Sequence, residues 1–226
     1  MDAEMKKMLE EKAEDIRVDI IDMLCESGSG HPGGSLSMAD IFSYLYFSGN
    51  LNIDPKDPKM EDRDRVVLSK GHACPVLYAT LAEKGFFEKS HLKTLRKFGS
   101  ILQGHPDMKK VPGVEMSTGS LGQGLSAAVG MALGLRLDKK DAHVFAILGD
   151  GECNEGQIWE AAMAAAHYEL GNLIGILDRN GLQIDGFTKD VMNSEPMIDK
   201  WLSFGWHVIE IDAHNFDEIE NAVSQA

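Results

Sequence analysis

The sequence predicts an α/β fold, a mostly parallel sheet covered by helices on both faces, and three features lead to it. Val144-Phe-Ala-Ile-Leu-Gly-Asp150 and Leu173-Ile-Gly-Ile-Leu-Asp178 are apolar runs of strand length, the pattern of parallel strands buried on both faces. An Ala-rich segment at 159–170 lies between them and reads as a crossover helix, which makes a β-α-β unit. Strands and helices alternate along the rest of the chain, with no repeat, low-complexity tract or linker to split it. Residues 1–226 are therefore expected to form one domain.

From the amino terminus, residues 4–26 are expected as an amphipathic helix with Ile16, Ile20, Met23 and Leu24 on one stripe. The Gly/Ser/Pro cluster 27–35 ends it. Ser37 and Asp40 resemble a capping box that opens a helix through Phe47. Residues 52–65, polar and carrying Pro55 and Pro58, are expected as a surface loop. Val66-Val67-Leu68 is a short strand that runs into Ser69-Lys70-Gly71-His72. Helices are expected at 75–84 and 89–97, then an irregular Gly- and Pro-rich stretch at 100–120. A helix of small residues follows at 121–137, suited to close packing. After the two motif strands come one more strand at 206–211 and one more helix at 217–223, and Gln225-Ala226 stops in or just after that helix.

Composition excludes several function classes. The 226 residues are 43% hydrophobic, enough for a large folded core. No apolar run approaches the ~20 residues of a membrane span, and the amino terminus lacks the apolar stretch of a signal peptide. Cys25, Cys74 and Cys153 are odd in number and widely spaced, which points to reduced thiols, a cytoplasmic setting and no zinc spacing. A formal net charge of −14 disfavours nucleic acid and anionic membrane as partners. An anionic substrate would then need a bound cation, helix amino termini and a few local basic groups.

The chemistry concentrates where the two motif strands end. Gly149-Asp150-Gly151 closes one strand, and Asn180 follows the other, with 28 residues between Gly151 and Asn180. Ligands of open α/β sheets bind at that carboxyl edge. A carboxylate, an amide oxygen and a loop carbonyl are hard oxygen donors suited to Mg2+ or Ca2+. Gly151 lets backbone approach phosphate oxygens with no Cβ in the way. Gly-Asp-Gly alone is more often a plain turn. The β-α-β spacing, the turn-rich loop Gly181-Leu182-Gln183-Ile184-Asp185-Gly186 and the polar run Glu152-Cys153-Asn154-Glu155-Gly156 tip the balance toward a site.

Three loop histidines join it. His31 lies in Gly28-Ser29-Gly30-His31-Pro32-Gly33, which fits a dinucleotide fingerprint but follows a long helix instead of a strand, so that reading is rejected. Pro32 and two glycines are expected to keep the segment a loop. His72 follows a strand end, and His105 sits in the rigid Gly104-His105-Pro106 turn. Imidazoles suit polyhydroxylated substrates, because they donate and accept hydrogen bonds and titrate near neutrality. His91, His143, His167, His207 and His214 carry no motif and are taken as structural. Thr118-Gly119-Ser120-Leu121-Gly122-Gln123-Gly124 opens a helix whose amides suit an anion or a polar ring edge, or simply cap the helix.

Gly-Asp-Gly followed at this distance by Asn resembles the thiamine pyrophosphate motif. The match extends to Ser27-Gly-Ser-Gly-His31-Pro-Gly-Gly, Leu68-Ser-Lys-Gly-His72-Ala, Gly104-His105-Pro and Thr118-Gly-Ser-Leu-Gly-Gln-Gly124, which resemble transketolase signatures in order and spacing from about Ile16 to the end. The resemblance implies the amino-terminal, cofactor-binding subunit of a split transketolase, a transferase of ketol units between sugar phosphates. It implies thiamine pyrophosphate with Mg2+ (or Ca2+), the ion held by Asp150, Asn180 and the Leu182 carbonyl. Gly151 and His72 would contact the diphosphate, and Gly119, Ser120 and Leu121 would present backbone to the organic part. His31 and His105 would contact donor and intermediate hydroxyls and relay protons. Glu155 would lie at the subunit interface, facing the other chain's catalytic glutamate. That glutamate belongs to a pyrimidine-binding domain, so a carboxyl-terminal subunit is implied as partner, in a heterotetramer. A further strand and loop would normally follow, so the chain is expected to be either naturally short or truncated. Two other functions stay in view. One is a deoxyxylulose-phosphate synthase-like fragment, disfavoured by the compact region 72–119. The other is a non-catalytic regulatory subunit, disfavoured by the intact histidine set.

Overall fold

In a computed structural model, the structure describes residues 1–184 and 186–226. Asp185, part of the loop expected after Asn180, lies outside the described residues. The chain divides into two compact units. The first comprises Met1–Arg63, His72–Ser117 and Glu210–Ala226, and the second Asp64–Gly71 and Thr118–Ile209.

The first unit is helical. Helix α1 (Ala3–Ser27) starts where Asp2 accepts from the Met5 amide at 2.8 Å and ends at Gly28, whose φ of 64° closes the last turn. Leu9, Ala13, Ile16, Ile20 and Met23 are buried at helical spacing, as the apolar stripe requires. They pack against α3 (Ala39–Phe47) and α4 (Cys74–Lys84). The loop expected at 27–35 instead contains a short helix, α2 (Gly33–Leu36), because Pro32 already holds a helical φ of −73° and its carbonyl accepts from Ser35 and Leu36. That turn carries helical backbone through Ser37, so Ser37 lacks the extended geometry of a capping residue, and Met38 begins α3 with no side-chain cap. Asp40 is buried instead, in an ion pair with Arg17 and a 2.7 Å hydrogen bond with His214 Nδ1. The helix expected at 89–97 shrinks to a 3-10 segment, Lys89–Thr94, since Arg96 sits at a φ of 62°, which no helix accepts. Helix α9 (Phe216–Gln225) is capped by Asn215 and buries Phe216 and Ile219. Lys6 holds Asp217 at 2.6 Å, and the Met1 ammonium holds Glu220.

The second unit carries the sheet. Among the described residues, β1 (Arg65–Leu68), β2 (Val144–Gly149) and β3 (Leu173–Asp178) form a parallel sheet in the order β1-β2-β3, flanked by helices. The register pairs Leu68 with Ile147 and Gly149 with Asp178, so the carboxyl ends of all three strands lie at one edge. Helix α5 (Gln123–Leu137) packs on the sheet, and α6 (Gly156–His167) packs on α5. Burial on both faces holds for the central β2 but not for β3, where only Leu173 is buried. Among the described residues β3 has a strand neighbour on one side only.

The strand expected at 206–211 does not form. Trp206 serves through its side chain, donating from Nε1 to the Ala162 carbonyl at 3.0 Å and lying over Gly175, where a Cβ would stand 3.3 Å from the ring. Four small elements had no counterpart in the sequence reading. These are the antiparallel pair β4 (Leu182–Gln183) and β5 (Gly186–Phe187), then α7 (Thr188–Val191) and α8 (Met197–Ser203). Among the described residues no helix is long and apolar enough to cross a membrane.

Candidate functional site

In the second unit, Asp150 follows β2 at the carboxyl edge and is only 4% exposed. Its Oδ1 accepts from the Gly151 amide at 2.8 Å, and its Oδ2 accepts from the Gly181 amide at 2.9 Å and Thr188 Oγ1 at 3.2 Å. A carboxylate offers roughly four lone-pair sites, so these donors orient it and leave capacity for one more ligand. Asn180 is exposed, with Nδ2 donating to Asp178 Oδ2 at 3.0 Å and Oδ1 accepting from the Leu182 amide at 3.0 Å. The structure thus brings Asp150 and the 180–182 turn together: Asp150 holds the Gly181 amide between the other two proposed donors.

Glu152 joins three segments of this unit. Its Oε1 accepts from Ser69 Oγ at 2.5 Å and the Gly122 amide at 2.9 Å, and its Oε2 accepts from the Gly149 amide at 3.2 Å. Burial pushes its pKa up, and the three donors act against that. The 118–124 segment is also seated by missing side chains. A Cβ on Gly71 would come within 2.7 Å of the Gly119 amide, and one on Gly124 within 2.6 Å of Ser69 Cα. Thr118 Oγ1 donates to the Leu68 carbonyl at 2.6 Å. Gly119 and Leu121 are half-buried here and Ser120 is exposed. Gly122, at a φ of 86°, lies where a Cβ would touch Glu155 Cβ at 2.9 Å. Glu155 itself is exposed at the N-cap of α6 and makes no capping bond with its side chain.

The histidines of interest belong to the first unit. Ser35 Oγ lies 3.3 Å from the Ala73 carbonyl, tying the turn of α2 to the start of α4. His31 and His72 accordingly meet edge to face, with ring centroids 5.4 Å apart. His105 is placed by Tyr78, whose buried hydroxyl lies 3.0 Å from both the Gln103 and the His105 carbonyls. His105 is open to solvent as a residue, yet its ring is shielded enough to push its pKa below the usual imidazole value. The Arg96 and His31 charges add to that shift.

Sequence reasoning passed over Lys70, Glu152, Asp178 and Arg96. Lys70 and Glu152 lie inside the motif segments 68–73 and 149–156, so their proximity to assigned residues was the available signal. Lys70 is 1% exposed and donates to Asp178 Oδ2 at 2.5 Å; burial pushes its pKa down while Asp178 pushes it up. Arg96 lies against Gly104, where a Cβ would stand 3.0 Å from the guanidinium carbon. Cys74 and Cys153 are buried, and burial pushes both thiols up to about 12, which leaves them as packing groups and not nucleophiles.

Among the described residues no three His, Cys, Asp or Glu side chains converge on a metal position. The donor set at the sheet edge is of another kind, one carboxylate with amide and carbonyl oxygens. That fits a hard divalent ion which completes its shell with water and phosphate.

Comparison with known proteins places the fold and the family. The family profile described as "Transketolase, thiamine diphosphate binding domain" matches residues 8–226. The 6-deoxy-6-sulfo-D-fructose transketolase subunit SqwG of Clostridium sp. (strain MSTE9) is 50% identical over 96% of this chain and 79% of its own length. An apulose-4-phosphate transketolase subunit of Phocaeicola vulgatus is 46% identical over 95% of this chain and 75% of its own. The solved transketolase of Campylobacter jejuni superposes with a TM-score of 0.91 at 35% identity, covering 100% of this chain and 36% of that one. The chain thus spans about a third of the full-length solved enzymes and about three quarters of the relatives named as subunits.

Proposed function

Because the chain belongs to the transketolase family, as its thiamine diphosphate-binding part, we propose that it is the amino-terminal half of a split transketolase. The observation that carries the reading is the carboxyl edge of the sheet, where an oriented Asp150 closes on the turn bearing Asn180 and Leu182. The matched profile runs through both units, and we read them together as one cofactor domain. The reaction moves a two-carbon ketol unit from a ketose to an aldose phosphate. Two relatives are named for ketoses bearing a terminal sulfonate or phosphate, so the donor here is taken as a ketose with a terminal anion.

Thiamine diphosphate, when bound, supplies the carbanion-stabilising chemistry that breaks and remakes the carbon–carbon bond. The chain's own residues bind and orient. Asp150, the Asn180 oxygen and the Leu182 carbonyl hold Mg2+ or Ca2+, which neutralises diphosphate charge in a protein of net charge −14. Gly151 and His72 take diphosphate oxygens, and Gly119, Ser120 and Leu121 offer backbone to the rings. His31 and His105 hold substrate hydroxyls and move their protons; at His105, burial and then the Arg96 charge favour the neutral imidazole, the form that can accept a proton. Glu155, exposed beside Gly122, faces the partner. The remaining groups come from a pyrimidine-domain subunit, in a cytoplasmic heterotetramer serving carbohydrate metabolism.

The test is reconstitution. The chain with thiamine diphosphate and Mg2+ is expected to show no ketol transfer alone and to gain it when a pyrimidine-domain half is added. Turnover by the chain alone would refute the split-subunit reading, and a tight complex without turnover would favour a regulatory subunit.

A further inference from the structure

Asn180 is held from two sides. Nδ2 donates to Asp178 Oδ2, and Oδ1 accepts from the Leu182 amide, both at 3.0 Å. The same Asp178 Oδ2 accepts from Lys70 Nζ at 2.5 Å. Lys70 follows β1, and Asp178 ends β3, so this ion pair spans the end of the intervening β2. Gly149, the last residue of β2, lies beside it, at a spacing where a Cβ would make ordinary van der Waals contact with Lys70 Cδ at 3.5 Å.

An asparagine amide has nearly the same shape whichever way it is turned, but one end donates and the other accepts. An ionised carboxylate only accepts, so the amide must present its nitrogen to Asp178. A cation needs the opposite end. Were the amide reversed, its NH2 group would face the ion and repel it. We propose that Asp178, anchored by Lys70, is a positioning residue that keeps the Asn180 oxygen turned toward a divalent cation. The proposal rests on the reading of Asp150, Asn180 and Leu182 as the donors. It adds two residues that touch neither the ion nor the substrate, and explains why a lysine is buried at this edge.

The experiment titrates Mn2+ into the full chain, assembled with its pyrimidine-domain half and saturated with thiamine diphosphate, and follows the EPR signal of free Mn2+. Asp178 Oδ2 receives both Lys70 and Asn180, so the probe removes that oxygen: Lys70→Met with Asp178→Leu replaces the ion pair by apolar groups of similar size. Mn2+ affinity is expected to fall about 10–100-fold, the usual effect of losing a group that orients a ligand. With a carboxylate at 180 the sign reverses. In Asn180→Asp there is no donor end to turn and two carboxylates face each other, so adding the same pair of substitutions is expected to raise affinity. Lys70→Met removes the anchor alone and is expected to weaken Mn2+ in the same direction as the pair. Metal-free unfolding midpoints verify that each variant is folded. Parent-like affinity in folded Lys70→Met/Asp178→Leu and Lys70→Met, or the same sign of effect in both backgrounds, overturns the orienting role. A parent that binds no Mn2+ overturns the donor assignment beneath it, a separate failure.

Discussion

Ser69 Oγ donates to Glu152 Oε1 at 2.5 Å, joining residues 83 apart in sequence. Ser69 and Glu152 are both fully buried, at 0% and 2% exposure, so neither has water as an alternative partner. The same carboxylate accepts from Gly122 and Gly149, which makes it the fastening between the 118–124 segment and the end of β2.

Glu152→Ala should therefore strand one hydroxyl and two amides. Each buried unsatisfied group costs about 1–3 kcal/mol, less than additively, so a loss on the order of 2–4 kcal/mol is expected from denaturant midpoints. A change within roughly 0.5 kcal/mol, the range of an ordinary surface substitution, would show that the three donors find other partners. The pH dependence has a definite sign. Glu152 has a raised native pKa, so its contribution is fully present below the ordinary carboxylate range and is lost as pH rises through the raised value. Glu152→Ala is expected to flatten that part of the stability profile.

Asp150→Asn is the sharper probe of the cation. It keeps the shape that receives Gly181 and Thr188 but removes the charge. Calorimetric titration of the reconstituted complex should show thiamine diphosphate affinity in Mg2+ falling by more than about tenfold. Equal affinities for parent and variant would remove Asp150 from the metal set.

His105→Ala should reduce kcat and kcat/KM together, by on the order of 10²–10⁴-fold, with thiamine diphosphate affinity preserved. The motivation is its assignment to the substrate and its place in the first unit, where Arg96 and His31 act on its ring. A variant with normal kcat and weakened cofactor binding would assign the residue to the diphosphate instead.

Arg96→Gln should raise the His105 pKa without restoring the ordinary imidazole value, because burial is the larger cause of its depression and Arg96 the next. In NMR titrations the His105 resonances of the variant should turn over at higher pH than in the parent. For the parent, a depressed native histidine means stability falls as pH drops through the unfolded imidazole value of about 6.5. An unchanged or lowered His105 midpoint in the variant would show that the guanidinium does not act on this ring.

The central β-α-β unit was legible because its signals are local and strong, a run of apolar residues in β2 and a helix of alanines. What failed did so for tertiary reasons. Trp206 heads an apolar stretch that reads as a strand, yet its indole is used to cover Gly175 and bond Ala162. Ser37 has the chemistry of a cap but lies on backbone already helical from Pro32 onward. In the candidate site, Asp150, Asn180 and the loop histidines stood out because glycines flank them or the β-α-β spacing frames them. Lys70 and Asp178 did not, because a lysine near one strand end and an aspartate at another carry no sequence mark of their pairing. Only the strand order β1-β2-β3 brings them to one edge.

The oxygen donors and their supports, from Lys70 and Glu152 to Asn180, fall in one unit, and His31, His72, His105 and Arg96 fall in the other. This separation has a consequence for laboratory evolution. A mutagenic library confined to 27–35 and 94–106 changes the groups assigned to the sugar, while His72 and the residues that hold Asp150 and Asn180 in place stay encoded. Selection for a new ketose can then proceed through many rounds on a background that keeps its cofactor, so inactive clones report lost substrate recognition and not a collapsed cation site.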